Sequence, residues 1–175
     1  RAPGLGFGYE EAIGFCPDPA HVRDKDGIAT SVVAASLVAA LKAQGRSVWD
    51  ELERLARLHG LHVSSPLTFR VEEIEQIASG MARLRAQPPS VLAGSPVVEV
   101  SDLSQGYRGL PPTDGVLVLT EAGDRVIARP SGTEPKLKCY LEVILPVAEG
   151  ESLPWEQARE RLDSIKGAFA EIIGL

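Results

Sequence analysis

The stretch GVLVLTEAGDRVIARPSGTEPKLKCYLEVIL, residues 115–145, decides the fold of the second part of this chain. Two apolar runs, GVLVLT and DRVIARP, flank EAGD, and this pattern is typical of a β-hairpin with glycine in its turn. In KLKCYLEVIL, lysines and apolar residues alternate at first, which indicates a half-buried strand. The stretch therefore predicts a hairpin followed by a third strand.

The flanking segments extend this pattern to a whole domain. SPVVEVSDL (95–103) predicts another strand, and GYRGLPPTDG (106–115) is a loop rich in turn-forming residues. LHVSSPLTFR (61–70) is extended, and its Pro66 indicates a linker or an edge strand. Helices are predicted over 71–86, where QPPS ends the pattern, and from about Pro154 through Ile172. We predict a mostly antiparallel sheet with helices on one face.

Residues 1–60 follow a different pattern, that of the end of an α/β layer. One helix opens at Asp26–Gly27 and ends near Gly45, and Ser47 with Asp50 forms the capping box of a second helix. The first helix carries one apolar stripe, formed by Ile28, Val32, Ala35, Val38 and Leu41. We place the boundary between two domains, residues 1–60 and 61–175, near residue 60.

Composition excludes several classes of function. A net charge of −6 and a pI near 5.1 argue against a general nucleic-acid binder, which needs a basic face. Cys16 and Cys139 predict neither a disulfide framework nor a zinc site. No signal peptide is recognised, and the longest apolar run (32–41) is too short to span a membrane. We expect a cytoplasmic protein without a membrane partner, and the initial Arg1 indicates a piece of a longer polypeptide.

The strongest chemical motif is RPSGTEPKLKCY, residues 129–140. Arg129 can form a bidentate contact with a phosphate group, and the hydroxyls of Ser131 and Thr133 can add hydrogen bonds. Gly132 allows close approach of the backbone, and Lys136 adds a positive charge. The same residues are also good turn chemistry, so the motif predicts either a phosphate site or a plain turn.

Two further loops carry charged residues near the N-terminus. In GYEEAIGF (8–15), Glu10 and Glu11 either accept hydrogen bonds from sugar hydroxyls or form a solvated acidic turn. In HVRDKDG (21–27), Asp26 is predicted to cap the following helix. Arg23 and Lys25 place two cations at the positive end of that helix, and a bound anionic ligand would offset their unfavourable interaction with the helix dipole.

Taken together, GYEEAIGF, RDKDG and RPSGTEPKLKCY resemble the C-terminal half of the α-D-phosphohexomutases, the phosphoglucomutase/phosphomannomutase superfamily. The resemblance implies that residues 1–60 end the third domain of such an enzyme and that residues 61–175 form its fourth. It implies that Glu10 and Glu11 bind sugar hydroxyls. It also implies that Arg129, Ser131, Gly132 and Thr133 bind the phosphate that is not reacting, with Arg23 and Lys25 facing the substrate.

The resemblance further implies a phosphoserine enzyme that passes through a sugar bisphosphate and uses Mg²⁺. Neither the serine motif nor the D-x-D-x-D metal loop of the family occurs in this sequence. The missing N-terminal domains are therefore expected to carry both, and this chain alone is expected to be inactive and prone to self-association. A stand-alone phosphosugar-binding module or regulatory subunit is the alternative interpretation.

Overall fold

The computed structural model describes residues 4–10, 13–132 and 134–174. The chain divides into two compact units, Arg1–Arg54 and Leu55–Leu175. The division falls inside a helix, six residues before the boundary expected from the sequence. The assignment of residues 1–60 to a third domain stays a prediction.

The first unit begins with a short antiparallel hairpin. Strands β1 (Gly8–Glu10) and β2 (Gly14–Cys16) pair so that Glu10 lies opposite Gly14. The rings of Tyr9 and Phe15, also opposite each other, have centroids 5.2 Å apart. The hairpin leads through a loop to the first helix.

Both predicted helix starts near residues 26 and 47 are confirmed. Helix α1 (Gly27–Ala43) is capped by Asp26, whose carboxylate accepts hydrogen bonds from the amides of Ile28 and Ala29 at 3.0 Å. Before helix α2 (Val48–His59), the amide of Ser47 donates to Asp50 Oδ2 at 2.6 Å, and the amide of Asp50 donates to Ser47 Oγ at 3.2 Å. This reciprocal pair is a capping box.

The apolar stripe predicted on α1 forms no core within the described residues. Only Leu41 of the stripe is buried, whereas the side chains of Ile28 and Val32 are 84% and 63% exposed. No single helix in the described part of the chain is long and apolar enough to cross a membrane. Helices α1 and α2 reach the length and apolar composition of a membrane-spanning segment only when they are taken together, and a bend of 90° separates them.

The second unit contains a six-stranded antiparallel sheet in the order β3-β8-β7-β6-β5-β4. Its strands are β3 (Leu61–Arg70), β4 (Val91–Leu92), β5 (Ser95–Asp102), β6 (Val116–Thr120), β7 (Arg125–Pro130) and β8 (Lys136–Leu145). Pro66 lies in β3, which is an edge strand, so the structure favours the second of the two alternatives, a linker or an edge strand, that Pro66 indicated. The predicted hairpin is β6–β7, and the third predicted strand is β8.

Helices α3 (Ile74–Ala86) and α4 (Trp155–Ile173) pack on one face of the sheet. Alternate residues of β8, such as Leu137, Cys139 and Leu141, point into the core with Phe169 of α4. The predicted fold class is confirmed, although α3 begins three residues later than expected. The other face of the sheet carries the remaining side chains of β8 and is called the open face below.

Candidate functional site

The predicted phosphate motif forms the connection between β7 and β8. Residues 131–135 link the two strands, and the amide of Ser131 donates to the carbonyl of Lys136 at 2.8 Å. The amide of Lys136 donates to the carbonyl of Glu134 at 2.7 Å, and the amide of Val71 donates to the carbonyl of Pro135 at 3.2 Å. The ends of the loop are therefore fixed by the sheet and by the chain that follows β3.

The sheet register brings four cations together beside this loop. Arg129 of β7 lies opposite Lys138 of β8, and Lys136 of β8 lies opposite Arg70 of β3. All four alternate along their strands with residues that are buried or, for Phe69 beside Arg70, partly buried against the core, so they belong to the open face. Arg70, Arg129, Lys136 and Lys138 are called the basic end of the open face.

One carboxylate partly neutralises the basic end. Lys136 Nζ lies 2.7 Å from Glu134 Oε1, and the Lys136 side chain is only 14% exposed. The hydrogen bond from Lys136 lowers the pKa of Glu134, and the positive charges of Lys136, Lys138 and Arg70 lower it further. Glu134 is therefore an anion at neutral pH, and Lys136 is its direct partner.

The remaining predicted phosphate ligands are open to approach where the structure describes them. Ser131 is half-buried and Gly132 is exposed, and a Cβ added at Gly132 would meet no heavy atom within 4 Å. The Ser131 amide is already used inside the loop, so its hydroxyl is the donor left for a ligand. Thr133 lies outside the described residues.

The second predicted site lies on the β1–β2 hairpin. Glu10 Oε1 is 3.9 Å from Lys25 Nζ, and Lys25 Nζ is 3.3 Å from Asp24 Oδ1. A Cβ added at Gly14 would come within 2.5 Å of Glu10 Cγ and 2.6 Å of Lys25 Cδ. Glycine at position 14 therefore leaves room for the carboxylate of Glu10 and the ammonium group of Lys25 to approach each other beside the hairpin.

Ion pairing influences the charges of the side chains at this second site. The hydrogen bond with Asp24, and then the charges of Asp24 and Glu10, raise the pKa of Lys25, so Lys25 is a cation. Glu10, Arg23 and Lys25 line the same open pocket of about 840 Å³. An exposed carboxylate beside exposed cations can accept from hydroxyls and attract an anion in one place. Glu11 lies outside the described residues.

Comparison with known proteins gives this geometry a context. The family model for the phosphoglucomutase/phosphomannomutase C-terminal domain matches residues 67–159, which contain the loop and most of the sheet. The chain belongs to this family. The similarity expected from the three sequence motifs is confirmed.

Relatives in the family include several named mutases. A probable phosphomannomutase of Haemophilus influenzae is 41% identical over 142 residues, which cover 81% of this chain and 29% of that protein. A phosphoglucomutase of Staphylococcus haemolyticus is 34% identical, covering 78% and 27%. A human phosphopentomutase is 29% identical, covering 94% and 29%. The chain spans less than a third of the length of these mutases.

A solved structure supports the fold. The crystal structure of the exocytosis-sensitive phosphoprotein pp63/parafusin, a phosphoglucomutase from Paramecium, matches with a TM-score of 0.64 at 18% identity. The match covers 97% of this chain and 31% of that one.

The structure also shows neighbours of the two predicted sites that the sequence did not reveal. Arg70 ends a strand that lies about sixty residues before the loop, and only the pairing of β3 with β8 brings it beside Lys136. The involvement of Asp24 is local and could have been inferred, because it precedes Lys25 directly. The role of Gly14 needed the hairpin register, which pairs it with Glu10.

Other polar residues have no assigned chemistry. His62 Nδ1 lies 3.2 Å from Glu142 Oε1, and Arg125 lies 2.8 Å from Glu142 Oε2, forming an ion-pair group at the far end of the open face. Among residues 4–10, 13–132 and 134–174, no three His, Cys, Asp or Glu side chains are grouped to hold a metal ion.

Proposed function

We propose that this chain is the substrate-binding C-terminal part of a phosphosugar mutase. The complete enzyme would interconvert a sugar 1-phosphate and a sugar 6-phosphate through a bisphosphate intermediate. Family membership supports the reaction class. The single observation that carries the proposal for this chain is the cluster of cations around the 131–135 loop on a protein of net charge −6.

The phosphate group that is not reacting would bind at this loop. Arg129 would supply a bidentate contact, and Ser131, Gly132 and Thr133 would supply hydroxyl and backbone contacts. Lys136 would add charge, and its ammonium group would be shared between the phosphate and Glu134. Binding energy at this remote phosphate can be converted into rate when it positions the reacting end.

The sugar would be held by the hairpin of the first unit. Glu10, with Glu11, would accept hydrogen bonds from hydroxyl groups that remain in place during the reaction. Arg23 and Lys25 would face the anionic part of the substrate. Relatives are named for hexose and pentose substrates, so the proposed substrate is a hexose monophosphate or a pentose monophosphate, and in a pentose C5 would take the place of C6.

The chemical steps would take place on other parts of the same polypeptide. The phosphoserine and the Mg²⁺ site are proposed to lie in the N-terminal domains, because this chain holds neither motif. The same reasoning predicts that the isolated chain has no mutase activity. Location in the cytoplasm is proposed with this metabolic role.

Titration with methyl phosphate tests the proposed phosphate site, with the amide NMR signals of residues 131–138 as the readout. We expect saturable shifts in the wild type and a loss of affinity of about ten- to a hundredfold in Arg129→Ala, because a charge-assisted hydrogen-bonded contact is removed. Arg159→Ala is the matched control, since Arg159 is exposed on α4, away from the open face. Equal affinities in wild type and Arg129→Ala, or no shifts in either, would refute the proposal.

A further inference from the structure

The basic end of the open face contains more positive charge than the loop motif alone. The motif supplies Arg129 and Lys136, whereas the sheet register adds Arg70 from the edge strand and Lys138 from β8. Lys138 is exposed, but Lys136 is only 14% exposed. The two lysines, two residues apart on one strand, therefore differ in their access to a ligand.

The four cations also differ in whether they form an ion pair. Lys136 forms a 2.7 Å ion pair with Glu134. Within the described residues, neither Arg70, Arg129 nor Lys138 forms an ion pair or a side-chain hydrogen bond. Three unpaired positive groups on adjacent strands repel one another, and a bound anion would remove this repulsion.

The single negative charge of Glu134 does not neutralise the four cations of the basic end. Glu134 is one carboxylate, and its pKa is lowered by Lys136 first and by the charges of Lys138 and Arg70 as well. It therefore stays ionised and already interacts with every cation except Arg129. Among these five groups, four positive charges against one negative charge leave an excess of three, which suits a doubly charged ligand better than a singly charged one.

We propose that Arg70 and Lys138 complete the phosphate site and select the phosphate dianion, while Lys136 mainly holds Glu134 in place. This inference rests on the proposed function, because it extends the same site. Arg70 and Lys138 would act as long-range charges across the three strands β3, β8 and β7. The strand register, which places Arg70 and Lys138 beside the loop, would thus determine that the site prefers a dianion to a monoanion. The loop motif alone would not determine this preference.

Two small probes of different charge test this selection at fixed pH and low ionic strength. Methyl phosphate is a dianion at about pH 7.5, since its second pKa is about 6, whereas dimethyl phosphate is a monoanion. We expect Arg70→Gln and Lys138→Gln each to weaken methyl phosphate binding by about three- to tenfold. The effect on dimethyl phosphate should be about two- to threefold, because Coulomb attraction scales with the charge of the probe.

Two further variants separate charge at the site from charge in general. Lys166→Gln removes one positive charge from α4, on the covered side of the sheet, and should change neither affinity. Lys136→Gln should also weaken methyl phosphate more than dimethyl phosphate, because it removes a positive charge and leaves Glu134 without its ion-pair partner. Melting temperatures within a few degrees of wild type verify that each variant is folded.

The possible failures of this inference and of the phosphate site are distinguishable. Wild-type affinity for both probes in Arg70→Gln and Lys138→Gln, together with weak binding in Arg129→Ala, would overturn the inference and leave the phosphate site intact. Equal losses for the two probes in these variants would also overturn it, since charge selection would be absent. Failure of the wild type itself to bind methyl phosphate would refute the phosphate site.

Discussion

Removing Arg161 from its ion pair with the buried Asp124 should strongly destabilise the second unit. Asp124 follows the β6–β7 turn and is fully buried, and Arg161 of α4 binds its two carboxylate oxygens at 2.6 and 2.7 Å. Thr120 Oγ1 donates to Asp124 Oδ2 at 2.8 Å. The group therefore joins the hairpin to α4.

The structure predicts unequal costs for removing the two partners. Arg161→Met would leave a buried carboxylate with one hydroxyl donor, and we expect the free energy of unfolding to fall by about 3–5 kcal/mol. For a unit of this size, the melting temperature would fall by about 10–20 °C. Asp124→Asn should cost only about 1–3 kcal/mol, because Arg161, 26% exposed, can still reach water.

Urea unfolding of the single and double variants measures these costs. Trp155, at the start of α4, reports on the second unit in a Trp49→Phe background. The double variant should lose less than the sum of the single variants, with a coupling energy of about 2 kcal/mol. A cost below about 1 kcal/mol for Arg161→Met, or strictly additive variants, would refute this reasoning.

Two further properties follow from exposure and burial. The chain should self-associate and bind ANS, because side chains such as Ile28 and Val32 are 84% and 63% exposed. Light scattering should show association of the wild type, and Val32→Lys should reduce it. A monodisperse wild-type monomer without ANS binding would contradict this prediction. In the native protein, Cys16 should react with a thiol reagent and Cys139 should not, because burial raises the pKa of the Cys139 thiol to about 12. Labelling of Cys16→Ser and Cys139→Ser variants assigns the reacting thiol, and modification of native Cys139 would show that β8 opens.

Features with local causes were predictable from the sequence. Asp26 and the Ser47–Asp50 pair satisfy backbone amides within three residues, so their capping roles follow from spacing alone. The β6–β7 hairpin likewise follows from two apolar runs around a glycine turn. The location of the phosphate motif between β7 and β8 required only these local assignments.

Features that depend on strand pairing were not predictable in the same way. The chain closes β3 against β8 across a long intervening segment, and nothing in the local pattern of LHVSSPLTFR specifies that partner. Arg70 was therefore missed at the basic end. The stripe on α1 was recognised as apolar, but spacing indicates which residues share a face and not whether another element covers them.

A comparison of two arginine-containing groups in the second unit shows why pairing matters for function. Arg161 forms an ion pair with the buried carboxylate of Asp124, and both oxygens of that carboxylate accept hydrogen bonds within the fold. The positive charge of Arg161 is therefore already neutralised and attracts an anionic ligand only weakly. Arg129 and Arg70 lie on the open face and have no ion-pair partner among the described residues, and only the neighbouring Lys136 is neutralised by Glu134. Unpaired cations on adjacent strands carry a repulsive cost that does not stabilise the fold. An anion would relieve that cost by binding, so the register that places these cations side by side would also increase the affinity of the sheet for a phosphate group.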